Sequence, residues 1–327
     1  TGYNLETGIT VHVGAQIQEA GSCVMPARLF FDIVRKLPDE MVSITVDHKQ
    51  QVSIRAGAAF FQITAMDSED YPELPDVNGK SGVTMPQSAL KAMISGTIFS
   101  VSENQARPIQ TGCLMEVTED SVTMVAVDSF RLARRTWHTE NAANHTLKFV
   151  VPAAGLKEIE RILEDSDEPV TFTLGDKHIL FSIGDALLVS RVLEGEFIDW
   201  RRVVPTNCGT VLTANVAELT SSIERVSLII SEKVKSPVRC VFGDNMADFR
   251  TANTIGSAHD TCSIAGNGGE LEIGFNSRYL LDALRVIPSE EVTLELQNGL
   301  SPIVFTPCDK KYDFAYMVLP VRLRSNS

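Results

Sequence analysis

Met85-Pro86-Gln87-Ser88-Ala89-Leu90 reads as the start of a helix, and starts of the same kind recur about every sixty residues. The others are Met25-Pro26-Ala27-Arg28-Leu29, Val151-Pro152 through Leu156, Thr213-Ala214 through Leu219, and Phe275-Asn276 through Leu280. Proline suits a first helical position, because its missing N–H would be unpaired there and its φ is already helical. Strand-like runs separated by turn residues follow each start. After the first helix they are residues 41–47, 51–55 and 60–65, then Asp70-Tyr71-Pro72. After the third they are 169–173, 179–183 and 186–191, then Glu196-Phe197-Ile198-Asp199-Trp200. After the fifth they are 291–296, 301–306 and 313–317, then Leu319-Pro320-Val321-Arg322-Leu323. The second and fourth helices lead to a different set, 111–118 with 121–134 and 239–244 with 246–254. Two kinds of unit therefore alternate, A, B, A, B, A, and a B followed by an A makes one domain. The pattern predicts an α+β fold in which helix-plus-antiparallel-strand units form three similar domains, 1–79, 80–207 and 208–327.

The opening Thr1-Gly2-Tyr3-Asn4-Leu5-Glu6-Thr7-Gly8 matches the end of a B unit. The first domain is thus expected to be partial, truncated at its N-terminal side by about forty-five residues relative to its siblings. The alternative is a naturally short first domain, which would leave an exposed sheet edge. With 44% hydrophobic and 22% charged residues the composition is that of a packed globular protein. No apolar run approaches the ~18 residues of a membrane span, so no membrane contact is expected, and the opening residues do not read as a signal sequence. The six cysteines, Cys23, Cys113, Cys208, Cys240, Cys262 and Cys308, show no metal-ligand spacing. Cys113 and Cys240 fall in equivalent strands, which predicts buried thiols and a reducing cytoplasm.

The net charge of −13 argues against a broad basic face that neutralises phosphates. The charges are nonetheless patterned. Asp32 with Arg35, Glu158 with Arg161, and Asp282 with Arg285 share one register, and Arg28 and Arg278 sit a turn earlier. Opposite them lie Phe30, Ile33, Val34 and Leu37; Leu156, Ile159 and Leu163; Leu280, Ala283, Leu284 and Ile287. One reading is i,i+3 pairing on a wet face, about 0.2–0.5 kcal/mol per pair. The sharper reading is that equivalent helices line one surface and turn their cations, with Lys91, Lys157 and Arg225, toward a polyanion. Catalysis finds little support: the six histidines share no spacing, and no nucleophile elbow or P-loop is present. Gly266-Asn267-Gly268-Gly269 reads as a turn and Asp67-Ser68-Glu69-Asp70 as a solvated loop. No metal and no cofactor are expected.

Three longer stretches carry an identity: Tyr316-Met317-Val318-Leu319-Pro320-Val321-Arg322-Leu323, Val127-Asp128-Ser129-Phe130-Arg131-Leu132-Ala133, and Glu196-Phe197-Ile198-Asp199-Trp200-Arg201-Arg202-Val203. With Pro26-Ala27-Arg28-Leu29-Phe30-Phe31-Asp32-Ile33, Ile273-Gly274-Phe275-Asn276 and Ser231-Glu232-Lys233, they closely resemble the bacterial sliding clamp family, the β subunit of DNA polymerase III. The resemblance implies a non-catalytic processivity factor with the DNA clamp fold. It implies a head-to-tail homodimeric ring, helices lining the inner face around duplex DNA, and tethering of the replicative polymerase, the clamp loader and other proteins carrying a clamp-binding peptide.

By the same resemblance, Arg28, Arg35, Lys91, Lys157, Arg161, Arg225, Arg278 and Arg285 are candidates for the inner wall, with Asn104 and Arg107 touching DNA near the ring face. The partner-peptide cleft would use Val127, Ser129, Phe130, Arg131, Leu132, Ile198, Arg202, Val203, Tyr279, Met317, Leu319, Pro320, Val321 and Arg322. Gln110 and Phe130 depart from the family pattern, Gln110 standing for an aliphatic residue and Phe130 for a polar one. Leu228 and Ile229 resemble the side that meets Phe61 and Ile63 of a neighbouring subunit. With a partial first domain that contact is expected to form poorly, and sedimentation of a stable dimer at low micromolar concentration would overturn the expectation. The alternative function is a peptide-docking scaffold that never encloses DNA.

Overall fold

The computed structural model describes residues 1–79, 82–140, 146–230 and 236–323. One compact unit comprises Thr1–Asp76 and Asp185–Val189. In it a short hairpin, β1 (Gly2–Tyr3) and β2 (Thr7–Val11), precedes α1 (Ala27–Val34). An antiparallel sheet follows, of β3 (Val42–Val46), β4 (Gln51–Ala56) and β5 (Ala59–Thr64) in that order. Local chemistry closes its turns: Asp47 Oδ1 accepts from the N–H groups of Lys49 and Gln51 at 2.8 and 2.9 Å, and Gly57 takes φ +53°, which glycine adopts without steric cost. Ile33 of α1 is buried with Val52, Ile54 and Ala65. Val42, Ile44 and Val46 pair with Ala56, Ile54 and Val52 and so share the apolar face, yet they stay 41–46% exposed.

The other unit comprises Val77–Gly184 and Ser190–Ser327. Strand β6 (Gly82–Pro86) runs into α2 (Gln87–Ser95), and β7 (Gly112–Val117), β8 (Ser121–Val127) and β9 (Arg131–His138) form a meander. Strand β10 (Leu147–Pro152) runs into α3 (Ala153–Ile162), followed by β11 (Pro169–Leu174), β12 (His178–Ile183) and β13 (Ala186–Arg191). The pattern repeats with β14 (Thr210–Asn215), α4 (Val216–Ser227), β15 (Val238–Ala252), β16 (Ser257–Phe275) and α5 (Ser277–Leu284), then β17 (Glu291–Leu296), β18 (Ile303–Pro307) and β19 (Phe314–Val318). Strand β9 pairs with β19, from Arg131↔Val318 to Arg135↔Phe314. That ladder fuses the second and third repeats into one sheet of ten strands, β10-β7-β8-β9-β19-β18-β17-β14-β16-β15.

The prolines are not first helical residues. Pro26, Pro86 and Pro152 are N-caps with ψ of 106°, 141° and 137°: the last two end a strand, and their fixed φ serves strand and helix alike. In the third repeat Asn215 and Asn276 cap instead, accepting from the N–H groups of Glu218 and Arg278 at 3.0 and 3.1 Å. The strands β6, β10 and β14 run directly into helices, and the residues read as helix starts are their last residues. Residues 121–134 form two strands around a turn. Residues 239–252 lie on one strand, β15, and the glycine run lies inside β16 opposite a register shift at Asp244, where Gly266 N–H bonds Asn245 Oδ1 at 3.2 Å. It is a bulge. The predicted helix faces of α3 and α5 are buried, including Leu156, Ile159, Leu280 and Leu284. Val34 of α1 is 46% exposed, because α5 packs beside α4 whereas α1 is the one helix of its unit's described residues.

Candidate functional site

At the seam of β9 and β19 the chain builds an apolar patch over a buried cluster. Asp128 Oδ1 accepts from the N–H groups of Phe130 and Arg131 at 2.7 and 2.9 Å, an Asx turn that presents Ser129 and Phe130 to solvent. Two backbone bonds of 2.8 Å tie down the terminal segment: Leu319 N–H to the Phe130 carbonyl and Val321 N–H to the Gly274 carbonyl. Beneath lie Leu114, Val304 and Phe197 with Val127, Leu132 and Met317, the last three only 4%, 1% and 3% exposed. These three predicted contact residues are core side chains, because the strand alternation turns them inward. Ile198 and Leu319 are partly buried against the same cluster, while Val203 and Val321 are 42% and 41% exposed. Pro320 is half-buried and Arg322 exposed at the end of the segment. The result is an apolar patch over a buried cluster, suited to meeting short apolar side chains from a partner.

Arg131 organises one wall. Its Nε lies 3.1 Å from Asp128, and its Nη1 bonds Asp282. The guanidinium sits 4.5 Å from the centre of the Tyr279 ring and 5.6 Å from that of Phe99. Phe130 stacks on Tyr279 at 5.7 Å with an interplanar angle of 20°. Arg131 is thus a partly buried, doubly paired cation, whereas Arg202 is 86% exposed and pairs with Asp199 at 2.9 Å. Sequence reading missed Asp128, Asp282 and Phe99. The Asp-x-x-Arg spacing of an Asx turn could have found Asp128. Asp282 was assigned to Arg285, which instead reaches Glu224 on α4 at 2.8 Å; a partner 151 residues away leaves no local signal.

Two further carboxylates brace the region. Burial raises the pKa of Glu116, but Arg201 at 2.8 Å, Trp200 Nε1 at 3.3 Å and Lys148 at 3.4 Å outweigh it, and the group titrates below its ordinary value. Asp313 behaves alike: burial raises it, and Arg134 at 2.6 Å and His138 at 2.8 Å carry it below the usual range.

The predicted DNA-facing cations lie on all five helices. Arg28 and Arg35 are exposed on α1, where Arg35 stands over Phe31 at 5.2 Å. Four of the others are paired: Lys91 with Asp165 at 3.0 Å, Arg161 with Glu158 at 2.7 Å, Arg225 with Asp260, and Arg285 with Glu224. Lys157 and Arg278 are exposed, with no ion-pair partner among the described residues. Arg107 and Asn104 are exposed in the turn before β7, where Arg107 N–H donates to the Asn104 carbonyl at 3.1 Å. Such a surface attracts phosphate weakly, since each paired cation must first be shared with its acid.

Of the predicted subunit-contact residues, Leu228 is 82% exposed just after α4 and Ile229 half-buried. Phe61 and Ile63 pack partly against their own unit's core on β5, an edge strand. The Ser231-Glu232-Lys233 motif lies outside the described residues. All six cysteines are free, and burial pushes the Cys113 thiol up to about 12 and Cys262 to about 11. No helix among the described residues is long and apolar enough to cross a membrane.

Repeated helix-and-sheet domains, two of them joined through the β9–β19 ladder and all carrying cations on their helices, define a clamp-type protein with the DNA clamp fold. The N-terminal, central and C-terminal domain families of the DNA polymerase III beta subunit match residues 1–75, 84–199 and 201–322. The beta sliding clamp of Staphylococcus epidermidis is 31% identical over 309 residues, covering 94% of this chain and 81% of the relative; that of Staphylococcus aureus is 30% identical over 308 residues, with the same shares of each chain. Among solved structures, the DNA polymerase III subunit beta of Pseudomonas aeruginosa superposes with a TM-score of 0.91 at 29% identity, covering 98% of this chain and 87% of that one. The sliding clamp of Bacillus subtilis gives 0.90 at 29% with the same coverage, and a Pseudomonas aeruginosa sliding clamp bound to griselimycin gives 0.90 at 29%, covering 98% and 86%. The chain belongs to the DNA polymerase III beta subunit family, the beta sliding clamps, which are processivity factors of DNA replication.

Proposed function

We propose that this protein, as a head-to-tail pair of copies, encircles duplex DNA without reading its sequence, and that its cleft captures short peptides of the replicative polymerase, the clamp loader and other partners. The domains are 1–79, 80–207 and 208–327, and the workplace is the cytoplasm. The observation that supports the reading is the apolar patch at the β9–β19 seam, where Phe130, Val203 and Val321 stand exposed and Leu319 packs on a buried cluster of Leu114, Val127, Leu132 and Met317. The cations of α1 to α5 support a shallow attraction to phosphate, because a lining in which acids compete for Arg161, Arg225 and Arg285 holds DNA without arresting it. Residues 61 and 63 on the β5 edge and residues 228 and 229 after α4 supply the contact between copies.

A loading assay tests the reading. After loading by its clamp loader and a high-salt wash, the protein is expected to stay on nicked circular duplex and to run off once the circle is linearised. Equal loss from both templates would identify a scaffold that does not enclose DNA.

A further inference from the structure

The sheet β3-β4-β5 has two edges. The β5 edge carries the contact proposed above, while β3 ends the sheet without a further partner strand among the described residues. Asp47 N–H donates to the Gln51 carbonyl at 3.1 Å, and the ladder pairs Thr45 with Ser53 and Ser43 with Arg55. Alternation along an antiparallel ladder then turns the backbone groups of Ser43 and Thr45 toward β4. Those of Val42, Ile44 and Val46 are left at the open edge. The side chains alternate as well: Val42, Ile44 and Val46, 41–46% exposed, share the apolar face, and Ser43 and Thr45 lie on the other. Edge strands are ordinarily blunted by a charge, a proline or a bulge. Residues 41–46 contain no charge and no proline, and the ladder with β4 runs without a register shift. The corresponding strand of the third repeat, β17, has β14 on that edge, and its Val292, Leu294 and Leu296 are at most 1% exposed.

We propose that the β3 edge is an interface with a second copy of this chain, the two β3 strands pairing antiparallel about a two-fold axis at Ile44. In that register the strand is complementary to itself. Ile44 meets its own counterpart and Val42 of each copy meets Val46 of the other, so every backbone group left at the edge gains a partner. Both apolar faces fall on the same side of one continuous sheet. The register also turns Asp39 and Glu40 of each copy toward Lys49 and His48 of the other, an acid facing a base at either end. Such a contact is isologous and closes at two copies. It is separate from the head-to-tail contact and does not depend on it.

Sedimentation equilibrium over a concentration series tests the proposal in Leu228→Asp, which places a charge at an exposed residue of the head-to-tail surface. This variant is expected to form a species of twice the chain mass. Adding Ile44→Lys is expected to weaken that association about tenfold or more. Amide hydrogen exchange, read by mass spectrometry, is expected to slow in residues 41–47 as the species forms. A single-chain mass at every concentration overturns the proposal, as does a double-mass species that forms equally well with Ile44→Lys and leaves residues 41–47 unprotected. Slow exchange of residues 41–47 in a single-chain species also overturns it, because the edge would then be held from within the chain. Ile44 is 46% exposed, so the lysine is expected to leave the fold intact, checked by circular dichroism. Failure here leaves the encirclement of DNA to be decided by the loading assay alone.

Discussion

Arg131 shows how much one side chain can hold together. It is 10% exposed, paired with two carboxylates and packed on two aromatic rings. Truncating one member of such a buried cluster leaves the others unsatisfied. Arg131→Ala is therefore expected to cost about 3–5 kcal/mol, read from the urea midpoint, and to release the Phe130 stack. Glu116 makes a pH-dependent contribution of known sign. Its folded pKa lies below the ordinary carboxylate value, so its contribution is complete above that value and is lost as pH falls through the folded one. Glu116→Gln is expected to make the decline in stability below about pH 4.5 less steep, measured by urea unfolding across an acid series. The thiols divide by burial. A disulfide reagent at neutral pH is expected to label exposed Cys308 first and to leave buried Cys113 and Cys240 untouched until the chain unfolds, counted by mass spectrometry.

Equivalent helices behave differently because their neighbours differ. Leu284 of α5 is 1% exposed beside α4, while its counterpart Val34 of α1 is 46% exposed. The same holds for strands: Val292, Leu294 and Leu296 of β17 are at most 1% exposed, against 41–46% for Val42, Ile44 and Val46 of β3. The physical distinction is the next element over. Strand β14 pairs with β17, whereas β3 ends its sheet. Leu284→Ala is expected to cost about 2–5 kcal/mol, and Val34→Ala no more than about 0.5 kcal/mol, compared in denaturant melts of the two variants.

At the scale of the molecule, charge decides how DNA is held. With a net charge of −13, the protein attracts phosphate only through local clusters, and Lys91, Arg161, Arg225 and Arg285 already have an acid beside them. Arg278 and Lys157, exposed and with no ion-pair partner among the described residues, are freer to take a phosphate. Arg278→Ala is expected to lower the slope of log affinity against log salt by about one, and Arg161→Ala, whose cation is shared with Glu158, by less. Fluorescence anisotropy of the protein on duplex DNA from low to moderate salt measures both slopes.

The amino-acid sequence by itself determined the repeat, its α+β character and the inward faces of α3 and α5, because helix starts, strand alternation and turn chemistry are local and are copied from unit to unit. It did not reveal that β9 and β19 form one ladder, that Asp282 serves Arg131 and not Arg285, or that Val127, Leu132 and Met317 lie under the apolar patch. Those facts depend on pairing between segments as distant in the sequence as Arg131 and Val318. An apolar residue on a strand reads the same whether it faces a core or a partner; which one it meets is decided only when the sheets close.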